Sequence, residues 1–197
     1  MSFKQETISS LWIGESASGS ALSRGLTYLR EVERLMLEPG MVDVLDNLRD
    51  RDLICSWIGE NIHAVNARLN LCLQACHDCF HPQDRPYVQI FAVPLAQSFR
   101  LDGICNIQTR PITILIDVGR VQPSDWLALV AHEYAHAHLG NSGHDASFAR
   151  VLAHLCLGLE LEPPCWKTGM ENQLRHFPPY VSVLDPLAFW RDGILLS

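Results

Sequence analysis

His132-Glu133-Tyr134-Ala135-His136 sets two imidazoles four residues apart with a carboxylate between them. On a helix, residues four apart stand one above the other at about one turn, ~5.4 Å, so two ring nitrogens can converge on a single ion. Glu133, one step round the helix, cannot easily ligate that ion but reaches a water held on it. The chemistry this spacing supports is metal-assisted hydrolysis, with Zn²⁺ the expected ion and Glu133 the general base. A solvated helix face would satisfy the bare H-E-x-x-H pattern equally well. Against that bland reading stands the surrounding run of Leu127, Leu129, Val130, Ala131 and Tyr134. A His-Glu-His face buried there without a ligand or hydrogen-bond partners would be costly.

A metal site needs a third ligand. His144 lies just past a glycine turn, four residues before Phe148, and a turn over Gly140 to Gly143 would fold it back onto His132 and His136. Glu160 and Glu162 are the acidic alternatives, at a helix end before Pro163. His138 projects about 200° from His136 and is read as structural. An oxyanion donor is also required, and Tyr180, Arg175 and Tyr134 are the candidates.

The elements that must position these groups follow from periodicity. Residues 1–19 are polar and rich in Ser and Gly, a flexible N-terminus, ahead of a single domain over 20–197. Its helical subregion, 20–82, begins with Leu22, Leu26, Leu29, Val32, Leu35 and Met36 at helical steps up to Pro39-Gly40. A second helical stretch covers about 41–77, with a break expected near Ser56 to Asn61. The catalytic subregion, 83–197, opens with β-branched apolar runs at 87–93 and 112–118, read as strands, and a short strand at 104–107 between them. The strand ITILIDV is expected at a sheet edge that holds a peptide across the metal. Ser124 would cap the H-E-x-x-H helix and Gly140 would end it. A further helix keeps Phe148, Val151, Leu152, Leu155 and Leu159 on one face up to Pro163-Pro164, and a Pro-rich tail wraps the rest.

With these residues in view, the stretch from about Leu101 to Leu159, under a third of the chain, resembles the SprT-like zinc metallopeptidases. DGIC (102–105), ITILID, LVAHEYAHAHLG and HDASFARVLAHL carry the likeness. It implies an α+β zincin-like domain, with an N-terminal helical region, a small sheet and an active-site helix. It also implies His132, His136 and His144 as zinc ligands, Glu133 as catalytic acid/base, and a peptide or protein substrate. This chain departs from the family in placing Asp145, rather than glycine, after the third histidine, and in a short connection from His136. A metzincin reading fits less well, since glycine and histidine fall one and two residues late, leaving Met170 as the only candidate Met-turn. The rival class is a non-catalytic zincin-fold binding or regulatory module, which has no need of Glu133.

Cys72, Cys76 and Cys79 have the C-x3-C-x2-C spacing of an iron–sulfur protein. They also share a helical face with Val65 and Leu69, so packing explains them, and a structural zinc with His77, His81 or Cys105 is the other alternative. His63, His154 and His176 read as structural, and Trp12, Trp57, Trp126, Trp166 and Trp190 are too dispersed for a stacking platform. With 15 Lys+Arg against 22 Asp+Glu the formal charge is −7. That balance, without any basic run, argues against nucleic acid as a partner. No apolar run approaches the ~20 residues of a membrane span, and no export signal precedes the seven cysteines, so a cytoplasmic protein with reduced thiols is expected.

Overall fold

A computed structural model describes residues 19–42, 50–167, 169, 171–181, 183 and 185–193. Among them are six α-helices and one three-stranded sheet, a mixed α+β arrangement. Apart from Gly19, the N-terminal stretch 1–19 lies outside the described residues, as do Trp12 and Met170.

Helix α1 (Ala21–Glu33) starts on the Ser20 hydroxyl, which accepts from the Ser23 amide at 3.3 Å. It stops well before the expected Pro39-Gly40, and just past its end the Leu35 carbonyl accepts from the Asn106 side-chain amide at 2.8 Å. Helix α2 (Arg51–Asp78) is unbroken. The break expected near Ser56 to Asn61 does not occur, since Gly59 serves a helix crossing instead of interrupting the turn. A Cβ there would lie 1.9 Å from the Ala21 carbonyl oxygen, and one at Gly25 would lie 1.8 Å from that of Cys55. Backbone therefore meets backbone where α1 crosses α2, which only glycine allows.

The sheet has strands β1 (Val88–Ala92), β2 (Gly103–Asn106) and β3 (Ile112–Ile116) in the order β1-β3-β2. β1 runs parallel to β3, and β2 antiparallel to it with Gly103 opposite Ile116. The boundaries of all three strands fall within two residues of the sequence expectation. Their roles differ from it: ITILI is the central strand and buried from Thr113 onward, and β1 and β2 form the edges. A near-continuous apolar run is what a strand covered on both faces requires.

A single 3₁₀ turn, Pro123–Asp125, leads into helix α3 (Trp126–Leu139). Ser124 does not cap it: its hydroxyl bonds the Asp125 carboxylate at 3.3 Å. Gly140, at φ 65°, ends α3 and donates its N–H to the His136 carbonyl, as expected. Helix α4 (Ala146–Gly158) follows at once, and the tail adds α5 (Glu171–Leu174) and α6 (Pro186–Asp192).

One apolar core joins all of these elements except α5's polar turn, which contributes only Leu174. The dispersed tryptophans partly meet there: Trp57 lies edge-on to Phe189 at 5.0 Å and to Trp190 at 5.8 Å. Cys76 is fully buried on α2, Cys72 and Cys79 are half-buried, and burial pushes all three thiols up. Cys105 lies elsewhere, on β2, and the His77 ring is engaged by the Tyr134 hydroxyl at 2.9 Å. No helix among the described residues is long and apolar enough to cross a membrane.

Asp117, just after β3, joins the parts. Its buried carboxylate accepts from the Leu95 amide at 2.9 Å, the Gly119 amide at 3.1 Å, Arg120 Nε at 2.8 Å and Trp190 Nε1 at 2.8 Å. Removing it would strand a nearly buried guanidinium, which costs about 3–5 kcal/mol. Asp117→Ala is therefore expected to lower unfolding stability by about that amount in urea titrations followed by tryptophan fluorescence.

Candidate metal centre

Helix α3 carries His132 and His136 on one face with Glu133 beside them, all nearly buried at 8%, 6% and 7% exposure. The turn after Gly140 returns the chain: the Asn141 side chain accepts from the Gly143 amide at 3.1 Å. Asp145 then caps α4, its carboxylate accepting from the Ser147 and Phe148 amides at 2.8 and 3.1 Å. That cap is why an aspartate follows His144, and it holds His144 against the other two rings. His144 Nε2 lies 3.2 Å from His132 Nε2, and one ligand atom from each of the three histidines falls within 4.8 Å of the others. Among the described residues this is the group whose donor atoms converge closely enough for one ion. Phe148 packs under all three rings, at 4.5 to 5.0 Å between centroids.

The neighbouring backbone sets the tautomers. His132 Nδ1 lies 2.7 Å from the Phe177 carbonyl oxygen and His136 Nδ1 3.1 Å from that of Asn141. A carbonyl only accepts, so each Nδ1 carries the proton and each Nε2 turns a lone pair toward the common point. Burial, with the repulsion of neighbouring rings, lowers the pKa of His132 to about 3 and of His136 to about 4; burial, with the charges of Arg175 and His176, lowers that of His144. All three rings are thus neutral at physiological pH, the state a metal requires. Three neutral imidazoles around one point, with room for further ligands, fit a divalent transition-metal ion.

The chain matches no family model, no curated protein and no solved structure. The reading of the centre rests on its own geometry.

Around the triad is a cavity of about 470 Å³, walled by β2 residues Gly103, Ile104 and Cys105, by α3, and by the tail residues Arg175, His176, Phe177 and Tyr180. Glu133 faces it and makes no hydrogen bond with any described residue. Burial and the nearby Asp102 carboxylate raise its pKa to about 8. A Cβ on Gly103 would sit 3.0 Å from Glu133 Oε1, so glycine at this point of the edge strand leaves this carboxylate its room.

The remaining sequence candidates separate cleanly. Tyr180 lines the cavity, its hydroxyl donating to Asp102 Oδ2 at 2.6 Å. Arg175 lines it too, whereas Tyr134 points away to His77. Glu160 and Glu162 are exposed beyond the end of α4 and outside the cluster. His138 stacks on Phe80 at 4.2 Å, and His154 bonds the Cys79 carbonyl, both structural. His176, set aside from sequence, belongs to the cavity wall. The Phe177 and Asn141 carbonyls had no sequence signal, because a backbone oxygen is the same in every residue. Asp102 and Gly103 had one, in DGIC.

Metal analysis after loading and dialysis should find about one divalent ion per chain in wild type, Glu162→Ala and Cys76→Ala, and none retained in His144→Ala.

Proposed function

We propose that the chain is a zinc-dependent metallopeptidase of zincin-like, SprT-like type, a hydrolase using His132, His136 and His144 as ligands and Glu133 as general base. The observation that carries this reading is Glu133: a carboxylate nearly removed from water, without a hydrogen-bond partner among the described residues, held beside three converging imidazoles. An unpartnered buried carboxylate is expensive and adds nothing to metal affinity from where it sits. A non-catalytic binding module would have no use for it.

Zinc is favoured by the donor set and by spacing. Two nitrogens 2.0–2.1 Å from one tetrahedral ion stand roughly 3.3 Å apart, close to the 3.2 Å between the Nε2 atoms of His132 and His144. Bound zinc would supply Lewis acidity for a peptide carbonyl and lower the pKa of a coordinated water. The protein's own part is positional. The Phe177 and Asn141 carbonyls hold the two α3 imidazoles in one tautomer, and Phe148 keeps water from beneath them. Glu133 accepts the proton of the attacking water and returns it to the departing amine. Its raised pKa falls again in the field of a cation, which brings it into the range of a working base. A peptide fits the cavity because β2 offers it a free edge whose backbone donors and acceptors can pair with an extended chain.

Glu133→Gln should keep about one equivalent of zinc and the wild-type fold while peptide hydrolysis drops by at least ~10²-fold, the usual worth of a general base. Turnover of an unstructured protein substrate, with zinc content measured on the same samples, checks this; undiminished hydrolysis would refute the assignment.

A further inference from the structure

Resting on the peptidase reading, we propose that the cavity selects substrates bearing a carboxylate near the cleaved bond, bound by Arg100 and Arg175.

Four arginines form ion pairs among the described residues: Arg120 with Asp117, Arg85 with Asp78, Arg34 with Glu31, and Arg191 among three aspartates. The side chains of Arg100 and Arg175 make no hydrogen bond or ion pair among the described residues, yet both line the one cavity that holds the triad. They arrive from different elements, Arg100 from the loop before β2 and Arg175 from the tail after α5. The acids of the same lining are committed: Asp102 holds the Tyr180 hydroxyl, and Glu133 is the proposed base. Apart from Glu133, the charged groups of this lining without a partner among the described residues are both guanidiniums, on a chain whose formal charge is −7.

Arg100 also occupies a backbone position that favours another residue. Its φ of 51° is left-handed, a conformation that side chains with a β-carbon resist and glycine accepts. The loop keeps a guanidinium there against that preference. A carboxylate engaged by these guanidiniums would lie in the cavity that the triad lines. Guanidinium forks pair with carboxylates through two parallel hydrogen bonds, so the rim distinguishes an acid from its amide.

An acidic side chain and a free C-terminus offer the same chemistry, and the test separates them. The probes are three labelled peptides of one core sequence: one with Glu and an amidated C-terminus, one with Gln and an amidated C-terminus, and one with Gln and a free C-terminus. Binding is read by fluorescence anisotropy on zinc-loaded Glu133→Gln protein, and cleavage on wild type. One or both carboxylate peptides should bind about tenfold tighter than the amidated Gln peptide, the scale of a charge-assisted pair. Adding Arg100→Gly and Arg175→Gln should bring the ratio near one, while Arg100→Lys should restore part of it. Arg100→Gly relieves backbone strain, so thermal melts should show no loss of fold. Equal binding of all three peptides, no binding of any, or a preference surviving both arginine substitutions would overturn the proposal. A preference that holds while wild type cleaves nothing would refute the peptidase reading and leave the rim standing.

Discussion

The structure is organised around the cost of burying a polar face. His132, Glu133 and His136 project from α3, a helix whose remaining surface is almost wholly apolar and enclosed. Such a face is tolerable only if its polar atoms are satisfied or reserved for a ligand. The surroundings meet that demand atom by atom. Backbone carbonyls take the two Nδ1 protons, the Asp145-capped start of α4 delivers a third imidazole, and Phe148 closes the floor. What is left over, three lone pairs and one carboxylate, faces the cavity.

That solution makes the tail part of the centre. The carbonyl on His132 comes from Phe177, and the segment carrying it is fastened at successive points: Tyr180 to Asp102, the Val181 amide to Asp125, the Val183 amide to the Arg120 carbonyl, and Trp190 to Asp117. Asp117 and Arg120 stand just after the central strand, so the same hub that ties the sheet to the core also seats the tail. Packing of Trp57, Phe189 and Trp190 adds apolar burial to that docking. The geometry at His132 thus depends on contacts made many residues away in sequence.

What could be seen in the sequence was what local chemistry decides. The H-E-x-x-H helix, its stop at Gly140 and the return of His144 all follow from helix periodicity and turn residues within a short stretch. The surroundings of the end of α1 could not be seen, because the Leu35 carbonyl just past it meets Asn106, some 71 residues away. Gly59 looked like an interruption of α2, since glycine weakens isolated helices; against α1 the absence of a side chain is what permits contact. The edge and centre of the sheet were exchanged because a run such as ITILI does not state how many neighbours it has. The tail's role was hidden for a different reason: Phe177 acts through its backbone, and Arg175 and His176 acquire meaning only once the tail is folded over the cavity.

The charge distribution gains sense in the same frame. An acidic chain that gathers two guanidiniums without partners among the described residues, and three neutral imidazoles, around one cavity has a centre unlike its surface. A metal ion taken up there would be held by imidazole and not by the thiols of α2 and α4. X-ray absorption at the edge of the loaded metal separates the two. Imidazole ligation gives nitrogen and oxygen neighbours at about 2.0–2.1 Å with the multiple-scattering pattern of about three imidazoles; sulfur scattering at about 2.3 Å, or a spectrum unchanged by His144→Ala, would exclude it.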